Sequence, residues 1–207
     1  MWIKICGMTT SEAVTAALDA GVDAIGFVFA DSVRQVSAAT AARLAAPARG
    51  KVICVAVTRH PSQYALDEIL TLFKPDVLQT DAGDLPLLRV PTALETLPVL
   101  RGRQDAGTLP ARILFEGLES GSGMPCDWSS ARLVARRTQL VLAGGLNADN
   151  IRTAVAEVRP FGVDVSSGVE QRPGVKSPGE ILRFVRAARA AFQATTASVT
   201  APVRETT

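Results

Sequence analysis

The chain has 207 residues, of which 47% are hydrophobic and 20% are charged, with 22 Lys and Arg against 20 Asp and Glu. This composition is typical of one folded domain with a large core, and it excludes a disordered or collagen-like chain. The charges nearly balance and the basic residues are scattered, so we expect no nucleic-acid partner. The single histidine, His60, excludes a metal site built from several imidazoles, and we expect no bound metal.

The cysteine pattern and the N-terminal sequence predict where the protein resides. Cys6, Cys54 and Cys126 are too few and too widely spaced for a disulfide framework or a paired-thiolate zinc site, which indicates reduced thiols. Residues 1–6 contain no basic leader or cleavage signal. No apolar run approaches the roughly 20 residues that span a bilayer. We therefore expect a cytoplasmic protein with no membrane partner.

Short β-rich runs alternate with Ala-rich helical stretches, which is the pattern of repeated βα units around a parallel sheet. In chain order it predicts a strand at 3–6, a helix at 11–20, a strand at 24–29, a helix at 38–46, a strand at 52–57, a helix at 61–73 and a strand at 77–80. The helical signal is weak from 84 to 96, because Pro86, Pro91 and Pro98 interrupt this region.

The second half of the chain continues the same pattern. It predicts strands at 98–101, 113–115, 140–143 and 163–165, with helices at 150–158 and 178–193. Eight strands in one compact chain predict a single-domain (β/α)8 TIM barrel over residues 1–194, since an open doubly wound sheet of this length shows fewer strands. Residues 195–207, rich in Thr, Ala and Ser, are predicted to form a disordered tail.

The carboxyl ends of the barrel strands are where a site is expected. Two small-residue turns, Gly144-Gly145 and Ser167-Gly168, follow the last two predicted strands. Backbone N–H groups in such turns can hold a phosphate. The alternative is that both turns are only tight connections.

Side-chain alternation along the first strand predicts that Lys4 and Cys6 face the barrel interior. A nearby ammonium favours the thiolate, which makes Cys6 a candidate nucleophile or general base. The alternative is a buried cysteine that acts as a small hydrophobe. A buried lysine needs a partner, and the inward-facing Asp164 on the last strand is predicted to interact with Lys4.

Two further side chains on the same rim are candidates for chemistry. Glu116, at the end of the sixth predicted strand, faces Cys6 across the barrel, and a thiol and a carboxyl so placed form a workable base and acid pair. Arg34, after the second strand, can hold a substrate carboxylate through paired hydrogen bonds. The alternatives are a solvated glutamate and a surface arginine.

Several motifs together resemble the phosphoribosylanthranilate isomerase family of tryptophan biosynthesis, whose members are (β/α)8 enzymes. The resemblance extends from residue 3 to about residue 190. The matching motifs are Lys4-Ile5-Cys6-Gly7-Met8-Thr9, Asp23-Ala24-Ile25-Gly26-Phe27-Val28-Phe29, Ser32-Val33-Arg34, Gly144-Gly145-Leu146-Asn147 with Asn150, and Val163-Asp164-Val165-Ser166-Ser167-Gly168-Val169-Glu170.

The resemblance implies an Amadori rearrangement of N-(5-phosphoribosyl)anthranilate to 1-(2-carboxyphenylamino)-1-deoxyribulose 5-phosphate, without metal or organic cofactor. Cys6 is then the general base at ribose C2, and Glu116 the general acid that opens the furanose ring. Arg34 binds the anthranilate carboxylate, and Lys4 and Asp164 also bind substrate. The implied phosphate-binding residues are Gly144, Gly145, Asn147, Ser166, Ser167 and Gly168.

The sequence departs from the family pattern in three places. Glu116 stands where the family usually has Asp, the following loop at 118–125 is short, and Asp81 stands where a histidine is usual. Two alternatives to the isomerase are therefore weighed. A histidine-pathway sugar isomerase is disfavoured by the thiol base, and a non-catalytic or altered-specificity phosphosugar-binding barrel would bind substrate without this turnover. We expect a monomer, with a homodimer as the alternative.

Overall fold

The architecture is a closed parallel barrel. The computed structural model describes residues 1–102, 108–117 and 126–200, with side chains described as far as Thr195. Eight strands pair in sequence order and the last closes against the first, so the (β/α)8 prediction is confirmed. The strands are β1 Trp2–Cys6, β2 Ala24–Val28, β3 Ile53–Val57, β4 Val77–Asp81, β5 Glu95–Arg101, β6 Arg112–Glu116, β7 Gln139–Leu142 and β8 Gly162–Val165.

Helices surround the barrel, and side chains cap the first turns of four of them. The helices are α1 Ser11–Ala20, α2 Ala38–Ala45, α3 Gln63–Leu72, α4 Trp128–Ala135, α5 Ile151–Val158 and α6 Pro178–Thr200. Thr10, Ser37, Ser62 and Asp127 accept hydrogen bonds from backbone N–H groups at the starts of α1 to α4, which satisfies donors that a helix leaves unpaired. In the described part of the chain, no helix has the length and apolar character needed to cross a membrane.

Strand alternation separates two apolar layers. Ile3 and Ile5 point outward and are fully buried between the barrel and its helices, as predicted. The residues that alternate with them along β1 point inward. The lower barrel interior is filled by Trp2, Ala24, Val55, Val77, Leu97, Val99, Leu114, Val141 and Ala143. This packed floor restricts the site to the upper rim, at the carboxyl ends of the strands.

The structure differs from the sequence prediction in its connections. A 3-10 turn, Leu85–Leu87, stands between β4 and β5 in place of an α-helix. Helix α4 was not predicted, and a short hairpin of β9 Glu170–Arg172 and β10 Val175–Lys176 follows β8.

The last helix is longer than predicted. Helix α6 continues to Thr200, beyond the predicted helix end at residue 193, and the disorder of the tail stays a prediction. Residues 201–207 lie outside the described part of the chain.

Candidate active site

A cavity of about 350 Å³ opens at the carboxyl ends of the strands. This volume is at the small end of the range for ligand pockets. Eight of the residues singled out from the sequence line it, namely Cys6, Arg34, Glu116, Gly144, Gly145, Asp164, Ser166 and Ser167. The structure therefore brings together the thiol, the carboxyl, the guanidinium and both small-residue turns.

Lys4 lies beneath the cavity and does not line it. Its side chain is fully buried, and Nζ donates a hydrogen bond of 2.9 Å to Oδ1 of Asp164, which confirms the predicted pair. A Cβ atom at Gly26, on the adjacent strand, would lie 3.0 Å from Cε of Lys4 and 3.1 Å from Sγ of Cys6. A larger residue at that position would force one or both side chains to shift by a few tenths of an ångström. Lys4 thus supports Cys6 and Asp164 from below, and its role in substrate binding stays a prediction.

The protonation of Cys6 also differs from the prediction. Burial raises the pKa of the Cys6 thiol above its ordinary value of 9.0, and the lowering by Lys4 and Lys176 does not offset it. Asp164 contributes to the rise. Burial lowers the pKa of Lys4, but Asp164 and Cys6 raise it by more, so Lys4 stays charged. The thiol form of Cys6 therefore predominates at neutral pH, because burial outweighs the lowering by the charge that was expected to favour the thiolate.

Replacing Lys4 with Met tests this buried pair. We expect Lys4→Met to lower the free energy of unfolding by about 3–5 kcal/mol, because it leaves the carboxyl of Asp164 buried without its partner. Urea unfolding measures this loss. As a control, Arg183→Met removes the exposed pairs with Asp149 and Glu180 and should cost at most about 1 kcal/mol.

Titration of the Cys6 thiol provides a second measurement on the same variant. Loss of the Lys4 ammonium should raise the thiol pKa further, since Lys4 lowers it in the wild type. A Lys4→Met protein with unchanged stability and an unchanged thiol pKa would contradict the assignment of a charged pair.

Arg34 is held by Glu170, the first residue of β9. Nε of Arg34 donates to Oε1 at 2.7 Å, and Nη2 donates to Oε2 at 2.9 Å. Lys176, on β10, donates to the same Oε1 at 2.8 Å. With a side chain only 12% exposed, Arg34 is a fixed part of the cavity wall and not a surface arginine. One carboxylate thus orients two cations, and the group carries a net positive charge.

The β9–β10 hairpin also supports the thiol strand. Lys176 donates to the backbone oxygen of Ser166 at 2.9 Å and to its hydroxyl at 3.2 Å. The Ser166 hydroxyl donates to the backbone carbonyl of Cys6 at 3.0 Å. The end of β8, the end of β1 and the loop after β2 are therefore joined in one hydrogen-bonded group.

On the opposite rim, Glu116 forms an ion pair with Arg101, the last residue of β5. Arg101 also donates through Nε at 3.0 Å and through Nη2 at 2.8 Å to Oδ1 of Asp81. The Glu116 side chain is 13% exposed and belongs to the cavity wall, so the solvated alternative is wrong. Asp81 fixes the guanidinium, and the guanidinium fixes the carboxyl that was predicted to act as the acid.

His60 extends this network away from the cavity. Its Nδ1 lies 2.7 Å from Oδ1 of Asp84, and its Nε2 lies 3.5 Å from Oδ2 of Asp81. These three residues place possible metal-ligand atoms within 4.8 Å of one another. Each of them is already bound to a neighbour, and Arg101 neutralises part of the charge. The group by itself does not define a metal site.

The phosphate prediction is refined by two residues that do not line the cavity. The Asn147 side-chain oxygen accepts from the backbone N–H groups of Asp149 and Asn150. The backbone N–H of Asn147 donates to the side-chain oxygen of Asn150, so Asn147 shapes the turn before α5. A Cβ atom at Gly168 would lie 1.9 Å from the carbonyl oxygen of Leu146, so glycine is required for the two turns to pack together.

Three buried or half-buried polar residues were not predicted as parts of the site: Gln79, Arg101 and Lys176. Gln79 and Arg101 point inward by the same alternation as Cys6, on β4 and β5, and this signal could have identified them. Lys176 lies on the hairpin, which has no counterpart in the predicted βα pattern.

A closed barrel with a thiol, carboxyls and a guanidinium around one rim cavity has the architecture of an enzyme. A model of the N-(5'-phosphoribosyl)anthranilate (PRA) isomerase family matches residues 3–187. The chain belongs to this family.

Individual relatives agree with the family match. The N-(5'-phosphoribosyl)anthranilate isomerase of Chelativorans sp. strain BNC1 is 39% identical in a match that covers 91% of this chain and 96% of that protein. The phosphoribosyl anthranilate isomerase structure from Thermus thermophilus has a TM-score of 0.75 and 25% identity, covering 92% of this chain and 99% of that one. A further isomerase structure, in complex with reduced 1-(o-carboxyphenylamino)-1-deoxyribulose 5-phosphate, has a TM-score of 0.72 and 26% identity, with the same coverage.

Proposed function

We propose that this chain converts N-(5-phosphoribosyl)anthranilate to 1-(2-carboxyphenylamino)-1-deoxyribulose 5-phosphate in tryptophan biosynthesis, with Cys6 as general base and Glu116 as general acid. The observation that carries the proposal is that both side chains line one cavity, which also contains the glycine and serine turns after β7 and β8. The similar isomerase structure in complex with a reduced product analogue supports the same substrate class.

The proton transfers follow from the chemistry of the substrate. In its protonated form Glu116 gives its proton to the ring oxygen, the C1–O bond breaks, and the anilino nitrogen supplies the electrons to form a C1=N iminium. Cys6 removes the proton from C2, and that electron pair forms a C1=C2 bond while the C1=N electrons return to nitrogen. Tautomerisation of the resulting enol to the C2 ketone gives the product. Each transfer uses a group that can work as a positioned acid or base.

The two anionic ends of the substrate are assigned to the wall around β8. Backbone N–H groups of Gly144, Gly145 and Ser167 bind the phosphate in this proposal, supported by the positive φ angles of 91° and 62° at the paired glycines. Arg34 binds the anthranilate carboxylate, supported by its fixed position beside Glu170.

Turnover of freshly generated phosphoribosylanthranilate is the direct test. We expect the wild-type protein to remove the substrate fluorescence catalytically, at substoichiometric enzyme. If the folded protein binds the reduced product analogue but shows no turnover, the non-catalytic phosphosugar-binding barrel takes the place of the isomerase.

A further inference from the structure

Gln79, on the inner face of β4, has an unpaired acceptor in the cavity wall. Its side chain is only 5% exposed, yet it lines the cavity. No group within the described ranges donates a hydrogen bond to its buried Oε1. An amide oxygen removed from water without a donor is destabilising, so such groups are rare in folded proteins.

The surrounding wall offers no compensation for this oxygen. The partners of Gln79 in register on the two adjacent strands are Val57 and Leu97, both apolar. Gln79 is therefore the polar side chain of an apolar section of the wall. An apolar residue would satisfy the packing there, and what the amide adds is a hydrogen-bond acceptor that no donor of the described wall satisfies.

The ligand group that pairs with Oε1 of Gln79 must be a hydrogen-bond donor, and this excludes some groups of the substrate. Phosphate and carboxylate groups of the substrate only accept at neutral pH. Both are assigned to the wall around β8, and β4 lies opposite β8 in the closed barrel. With both ends held there, the anilino N–H stays beside the carboxylate at Arg34, which leaves the ribose hydroxyls as the donors for β4.

We propose that Gln79 is a specificity-determining residue whose Oε1 accepts a hydrogen bond from a ribose hydroxyl of the substrate. This inference rests on the proposed function and extends it to the sugar subsite. The acceptor is unpaired until substrate binds. Removing it should therefore weaken the ligand complex but should not destabilise the free protein.

The variant Gln79→Met tests the proposal, since Met keeps the length of the side chain without the amide. We expect kcat/KM to fall about tenfold to a hundredfold, with a matching rise in the dissociation constant of the reduced product analogue. The apparent Tm should equal or exceed that of the wild type. The inhibition constant of inorganic phosphate should not change, because phosphate binds on the opposite wall.

The control is Gln139→Met, which changes an exposed glutamine at the start of β7, far from the rim, and should leave kcat/KM unchanged. A Gln79→Met enzyme as active as the wild type would overturn the proposal, as would a loss of Tm with activity recovered on cooling. Absence of turnover in the wild type is a different failure, since it removes the isomerase itself while the analogue-binding comparison still tests Gln79.

Discussion

Replacement of Cys6 by Ser is expected to lower kcat by about 10²–10⁴-fold, the usual contribution of a positioned general base. The thiol is the group on β1 that reaches the cavity, and a hydroxyl in its place is a far weaker base at the same position. KM should change little, because the phosphate turns and Arg34 are untouched. Stopped-flow loss of substrate fluorescence measures both constants.

The pH profile of the wild type follows from the same assignment. The base form of Cys6 is the thiolate, and burial raises the thiol pKa, so the active fraction is small at neutral pH. It grows about tenfold for each pH unit below that pKa. We therefore expect kcat/KM to rise with pH, up to the pKa of the thiol, over the range in which Glu116 still carries the proton that it gives to the ring oxygen.

A second cysteine provides the matched control. Cys54 is also fully buried, but it lies on the outer face of β3 among helix-packing residues, so Cys54→Ala should retain nearly full turnover. Retained binding of the reduced product analogue would show that Cys6→Ser is folded. A Cys6→Ser enzyme with turnover close to the wild type would exclude the thiol as the base.

Strand alternation made much of the site predictable. A period of two along β1 and β8 places Lys4, Cys6 and Asp164 inside, and barrel closure makes Lys4 and Asp164 neighbours. These are geometric consequences of the backbone. The sign of the shift in the Cys6 pKa was not predictable, because it depends on how fully the barrel excludes water and on how much of the Lys4 charge Asp164 neutralises.

Contacts between distant loops were the other part that sequence patterns missed. The Arg101 network and the Lys176 hairpin form only when strands or loops far apart in the chain meet. Helix α4 is different, since its signal was local. Asp127 caps it, and hydrogen bonds from Ser129 and Ser130 lower the pKa of Asp127 to about 2. An Asp before two serines was the sign of a helix start.

Replacement of Glu116 by Gln is the second large effect that we expect, with kcat lowered about 10²–10⁴-fold. The amide keeps the length of the side chain but has no acidic proton to give to the ring oxygen. Its carbonyl can still accept from Arg101, so the wall should stay intact and KM should change little. Steady-state kinetics measures kcat and KM, and binding of the reduced product analogue shows whether the wall is intact.

The chain offers a matched control in Glu95, which also pairs with an arginine, Arg112, at 2.9 Å, but at the amino-terminal end of β5 and half exposed. Glu95→Gln should leave turnover unchanged. Glu116→Asp keeps the carboxyl group but shortens the side chain by one methylene, which moves the carboxyl away from Arg101. Its turnover should fall between that of the wild type and that of Glu116→Gln. If Glu116→Gln were as active as the wild type, the acid would have to be another group. In that case the Asp81–Arg101–Glu116 network would only shape the rim, because an ion-paired carboxyl can build a wall without giving up a proton.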